Sequence, residues 1–154
     1  MKRIIGVFLI GVMLGGCAAA PSSGGYSRNS MSSSGNRYEQ QIMAQLTAHQ
    51  NALRGYQMDD HFIGTMNQGG RYQLNASVQR GDDVVITGAC DEDCTDVDLI
   101  IYDDRGRELD RDTLVDDQPV LNFRAPYSGD YTIEAVMYEC HVNPCYFGVA
   151  LFVH

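Results

Sequence analysis

The sequence predicts an all-β fold, an antiparallel β-sandwich of about seven to eight short strands, preceded by one α-helix and a disordered tether. Three observations predict it. After Gly55 the apolar residues recur with period two, as in Arg71 to Gln79, where Tyr72, Leu74, Ala76 and Val78 share one face. Turn residues punctuate that pattern at short intervals, with no long helical segment between them. About a hundred residues follow Gly55, enough for one core and too few for two.

The chain opens MKRIIGVFLIGVMLGGCAAA. Lys2 and Arg3 form a positive start, and Ile4 to Leu14 is an apolar run too short for a membrane span. Leu14-Gly15-Gly16-Cys17 resembles the lipobox of bacterial lipoproteins, which implies a signal peptide through residue 17 and acylation of Cys17. Ala18 rather than Asp follows the cysteine, so the expected address is the outer membrane, lipid-anchored and facing the periplasm or the cell surface. Removing Lys2 and Arg3 with the leader takes the formal charge from -9 to -11 and leaves no lysine. Fourteen of the twenty acids lie between Asp82 and Asp117. Such a surface repels nucleic acid and suits cations or a basic partner.

Residues 18 to 36 are mostly Ser, Gly and Ala with little to bury, and read as a disordered tether spanning roughly 25 Å. Residues 37 to 55 read as a helix. Tyr38, Ile42, Leu46, His49 and Leu53 fall on one stripe, Asn36 and Glu39 are placed for a capping box, and Gly55 ends it. The narrow stripe predicts packing on the domain that follows, residues 56 to 154.

In that domain His61 to Met66 is a weak strand candidate. Stronger ones are 71 to 79, Val84 to Ala89, Val97 to Tyr102, Val120 to Arg124, Tyr131 to Glu139 and Tyr146 to Val153. Val97, Leu99 and Ile101 point to one face, while Ile100 and Tyr102 make the other face apolar as well, the mark of a central strand. The last strand reads the same way. Phe147, Val149, Leu151 and Val153 line one side, and the small or aromatic residues Tyr146, Gly148, Ala150 and Phe152 line the other, where the helix could cover them.

From Gly69 onward the order of features resembles the pre-peptidase C-terminal (PPC) domain family. The matching pieces are Asp96-Val97-Asp98-Leu99, Tyr102-Asp103 with Gly106, the acidic stretch Asp110 to Asp117, Leu121-Asn122-Phe123-Arg124-Ala125-Pro126, and Ser128-Gly129-Asp130-Tyr131-Thr132-Ile133. They cover a little over half the chain. The resemblance implies a jelly-roll-like, non-catalytic sandwich with relatives that bind calcium or extracellular polymers. A tether and a helix, rather than a peptidase, precede the module in this sequence.

Four cysteines remain after Cys17: Cys90, Cys94, Cys140 and Cys145. In an oxidising compartment an even count predicts disulfides. Local pairing, Cys90 with Cys94 and Cys140 with Cys145, fits a three-residue turn and a hairpin tip. A crossed pairing requires the two loops to meet at one end of the sandwich. Zinc on these thiolates with His141 is the alternative that the export signal disfavours. Asp91, Asp93, Asp96 and Asp98 offer hard oxygens for calcium, with Asp116 and Asp117 as neighbours, although no EF-hand spacing is present. No nucleophile elbow or zinc-protease helix occurs. The expected function is therefore an outer-membrane lipoprotein displaying a non-catalytic binding or envelope-structural module, with no required cofactor and an envelope protein or polymer as partner. A hydrolase-like enzyme and a calcium-dependent adhesion or polymer-binding domain are the rivals. A pocket around Asp93, Asp98 and His141 would favour the enzyme.

Overall fold

A computed structural model of the chain describes residues 36–154. One helix, α1 (Arg37–Ala52), precedes eight strands: β1 (Gln57–Met66), β2 (Arg71–Val78), β3 (Asp83–Cys90), β4 (Cys94–Tyr102), β5 (Glu108–Asp112), β6 (Val120–Arg124), β7 (Gly129–Cys140) and β8 (Cys145–Val153). They form two four-stranded antiparallel sheets, ordered β1-β8-β3-β6 and β2-β7-β4-β5. That interleaving of eight strands across two sheets is the jelly-roll order.

The alternation read from the sequence sets the core. Val97, Leu99 and Ile101 of β4 and Tyr131, Ile133, Ala135 and Met137 of β7 meet Val84 and Ile86 of β3 and Phe147, Val149 and Leu151 of β8. Tyr131 is fully buried, and its hydroxyl donates to the Tyr127 carbonyl at 2.7 Å, which pins the turn entering β7. A second cluster lies on the outer face of the first sheet, where Ile42 and Leu46 of α1 pack on Val85, Ala89, Ala150 and Phe152. Burial of each of those two helix side chains contributes about 1.5–3 kcal/mol. Gly148 makes the approach possible, since a methyl group there would fall on the Ile42 side chain. The helix start carries the expected capping box: the Asn36 side chain accepts from the Glu39 backbone N–H at 3.0 Å, and the Glu39 carboxylate accepts from Asn36 N–H at 3.2 Å.

Strand β5 is absent from the sequence-based set. Its residues, Glu-Leu-Asp-Arg-Asp, carry a single apolar side chain and no visible alternation. It is an edge strand, held by pairing with β4 and by contacts across the sandwich margin. The Asp110 and Asp112 carboxylates accept the Asn122 and Val120 backbone N–H groups of β6 at 3.0 and 2.8 Å. These bonds tie the edge of one sheet to the edge of the other. At the opposite margin, Phe62 of β1 stacks on Tyr72 of β2 and both touch Phe147.

Candidate functional site

The jelly-roll order brings the ends of β3 and β7 and the starts of β4 and β8 to one end of the sandwich. All four cysteines are there, each at most 4% exposed. Cys90 is bonded to Cys94 and Cys140 to Cys145, with Cα separations of 5.8 and 5.9 Å. Cys94 and Cys140 face each other in the β4–β7 register, so the two loops do meet and the pairing is local even so. With all four sulfurs in disulfides, no thiolate is left for zinc.

The two stapled loops are tied together by polar groups. The His141 backbone N–H donates to the Asp93 carbonyl at 2.8 Å. Asp91 is 2% exposed and accepts from the backbone N–H groups of Tyr146 at 2.8 Å and Asp93 at 3.2 Å, which locks the first loop onto β8. Burial pushes the Asp91 carboxyl above its ordinary range, and the N–H of Tyr146 pulls the other way.

Asp96 and Asp98 lie just beyond, where the β4–β7 register shifts on either side of Asp96. Asp96 is 3% exposed, and its Oδ1 has no hydrogen-bond partner. Burial raises its pKa first, and the neighbouring charges of Asp116 and Glu139 add to that. Asp98 is raised likewise by burial, then by Asp96 and Asp112, against a partial opposing effect from Arg71. Arg71 itself is paired with Glu134 across the β2–β7 ladder.

The four residues expected to suit calcium thus separate into different roles. Asp91 caps backbone, Asp93 offers its carbonyl to His141, and Asp96 and Asp98 sit on the β4 strand. Among the described residues no group of three or more His, Cys, Asp or Glu side chains is arranged to hold a metal ion. Nor do the histidines gather. His49 bonds Thr87 Oγ1 at 2.8 Å and Gln118 Oε1 at 3.3 Å under the helix, and His154 packs against the Tyr56 ring. An open groove lined by Gly55, Gln57, Met58, Asp59, Val153 and His154 lies at the other end of β8 from the disulfides, away from Asp93, Asp98 and His141.

Two features of this end escape sequence reasoning. Asp96 alternates with apolar residues as any exposed strand acid would, so its burial is not legible. Leu114 and Val115 lie between acids, and only the structure shows them 68% and 83% exposed. Cys17, the leader through residue 17 and the tether up to residue 35 lie outside the described residues. Among the described residues no helix is long and apolar enough to cross a membrane.

No family model matches the chain, and no curated protein matches it. Among solved structures the chain is similar to a pre-peptidase C-terminal domain of collagenase from Bacillus anthracis, with TM-score 0.49, 12% identity, and coverage of 61% of this chain and 89% of that one. It is also similar to PliG of Aeromonas hydrophila, a periplasmic lysozyme inhibitor of g-type lysozyme, with TM-score 0.48, 10% identity, and coverage of 62% and 85%.

Proposed function

We propose that this chain is a lipid-anchored protein of the bacterial envelope, held to the outer membrane through Cys17, that displays its jelly-roll domain as a non-catalytic binding module. The observation that carries the reading is the pair of buried disulfides at one end of the domain. Disulfides of this kind persist in an oxidising compartment, which agrees with the export leader and lipobox of residues 1 to 17. The buried polar groups support the module rather than a reaction: Asp91 and Asp103 hold main-chain N–H groups, and Thr87 bonds the half-buried His49. A short tether after the acylated cysteine would let the domain reach a partner off the bilayer.

The test is metabolic labelling with an alkyne fatty acid, followed by membrane fractionation. The wild-type chain is expected to carry label on its N-terminal peptide and to sediment with the outer membrane. Cys17→Ala is expected to lose both. Unlabelled wild-type protein recovered from the soluble periplasm would overturn the anchored reading.

A further inference from the structure

We infer that the disulfide-stapled end of the second sheet is a docking surface for a basic protein, with an arginine or lysine of that partner drawn to the carboxylates around Asp96. This rests on the binding-module reading and names the kind of partner that module takes.

The register places the surface. Asp96 faces Glu139 on β7, and on the other side the Val97 backbone N–H donates to the Asp116 carbonyl at 3.1 Å. Tyr138 and Glu139, Asp96 and Val97, and Val115 and Asp116 therefore lie side by side on three adjacent chain segments, about 5 Å apart each. The strip is apolar where it is most exposed. Leu114 is 68%, Val115 83% and Tyr138 65% exposed, and Val142 of the Cys140–Cys145 loop adds another at 61%. Large apolar side chains held in water at one end of a domain mark an interaction surface. The Cys140–Cys145 disulfide fixes the loop that carries Val142, and Tyr138 is held on β7, so little ordering of these two is lost on binding.

The charge of the strip selects the partner. Asp96 is its buried floor, Asp98 and Asp116 are half-buried, and Glu139 is exposed. The cation that acts on Asp98, Arg71, is already paired with Glu134. A carboxylate oxygen buried without a donor weakens the fold, and a neutral amide of the same shape would remove the buried charge. Asp96 Oδ1 is such an oxygen. A cationic side chain approaching the strip reaches the carboxylates of Asp98, Asp116 and Glu139 and compensates the clustered charge that includes buried Asp96. A metal ion is the poorer occupant, because no ligand group is arranged for one among the described residues and it would make no use of Leu114 or Val115. Anionic lipid and nucleic acid are repelled by the same carboxylates.

The experiment measures binding of a fluorescent peptide, two arginines flanked by leucines and a tyrosine, to the leader-free mature chain. Its citrulline twin keeps the shape and loses the charge. Wild-type protein is expected to bind the arginine peptide, with affinity lowered about tenfold by citrulline and by Asp96→Asn. Leu114→Ser with Val115→Ser, on a loop the core does not use, should weaken binding as well. Asp59→Asn with Asp60→Asn, at the far end of the domain, should leave it unchanged. Equal binding of the citrulline peptide, wild-type affinity in Asp96→Asn, or an equal loss in the Asp59/Asp60 variant would overturn the surface. So would absence of binding. These outcomes are independent of lipid labelling. A labelled chain that binds no peptide refutes the surface and leaves the anchored module, whereas an unlabelled chain that binds it refutes the anchor alone.

Discussion

Asp103 shows how a single buried carboxylate holds a turn in this domain. It accepts the backbone N–H groups of Arg105 at 2.9 Å and Arg107 at 2.8 Å, and Arg107 Nε at 2.6 Å. Burial alone would raise its pKa, but the Arg107 N–H, the Arg107 guanidinium and the Arg105 N–H outweigh it and bring it down to about 2. Asp91, Asp96 and Asp98 go the other way, raised above their ordinary value chiefly by burial. The two groups give opposite pH dependences. A lowered carboxylate stabilises the fold above its unfolded pKa and loses that contribution as pH falls through the folded one, here from about 4 to about 2. A raised carboxyl binds its proton more tightly when folded, so the fold gains stability as pH falls from neutral towards the ordinary value of 3.8. Scanning calorimetry from pH 7 to pH 2 should therefore show Tm rising into the mildly acidic range and then falling. Asp96→Asn should raise Tm at pH 7 and flatten the first limb, while Asp103→Asn should lower Tm at pH 7 and remove part of the second. A Tm that falls steadily from pH 7 downward would refute this assignment.

At the scale of elements, α1 is the piece whose docking depends most on one contact surface. Ile42 and Leu46 are both 0% exposed, and the flanks are held by Tyr38 stacked on Tyr146 and by His49 on Thr87. Leu46→Ala should cost about 2–5 kcal/mol, seen as a lower denaturation midpoint with an unchanged slope. Gly148→Ala reaches the same interface from the sheet side, because its methyl would strike Ile42. A comparable loss is expected, partly relieved when Ile42→Ala is added. A chain beginning at Gly55 that melts with the full domain would refute docking. The stripe Tyr38, Ile42, Leu46, His49 and Leu53 was legible because helical spacing and burial coincide in it. Strand β5 was not, because Leu109 is its single apolar residue and its place is set by β4 pairing and by the Asp110 and Asp112 bonds to β6.

At the scale of the whole molecule, the jelly-roll order decides which distant residues share an end. It collects two local disulfides into one stapled end; their sequence separations are 4 and 5, so each closes only a short loop and contributes about 2 kcal/mol by the chain-entropy estimate. Cleavage between Cys94 and Cys140 without reduction should release two separately bridged fragments, and Cys140→Ser with Cys145→Ser should lower stability by about that amount. Fragments that remain joined until reduced would mean crossed pairing. The strand periodicity, the turns and the capped helix were legible in the sequence, because each is written in residues close together in the chain. Only the tertiary structure decided that Asp96 is buried without a donor while Leu114, Val115 and Tyr138 stand in water beside it. It decided also that Asp91 accepts the Tyr146 backbone N–H and so locks the first loop onto β8. The physical reason is that burial and pairing depend on which strands the topology makes neighbours. Alternation along one strand fixes the face of a side chain but not what stands opposite it.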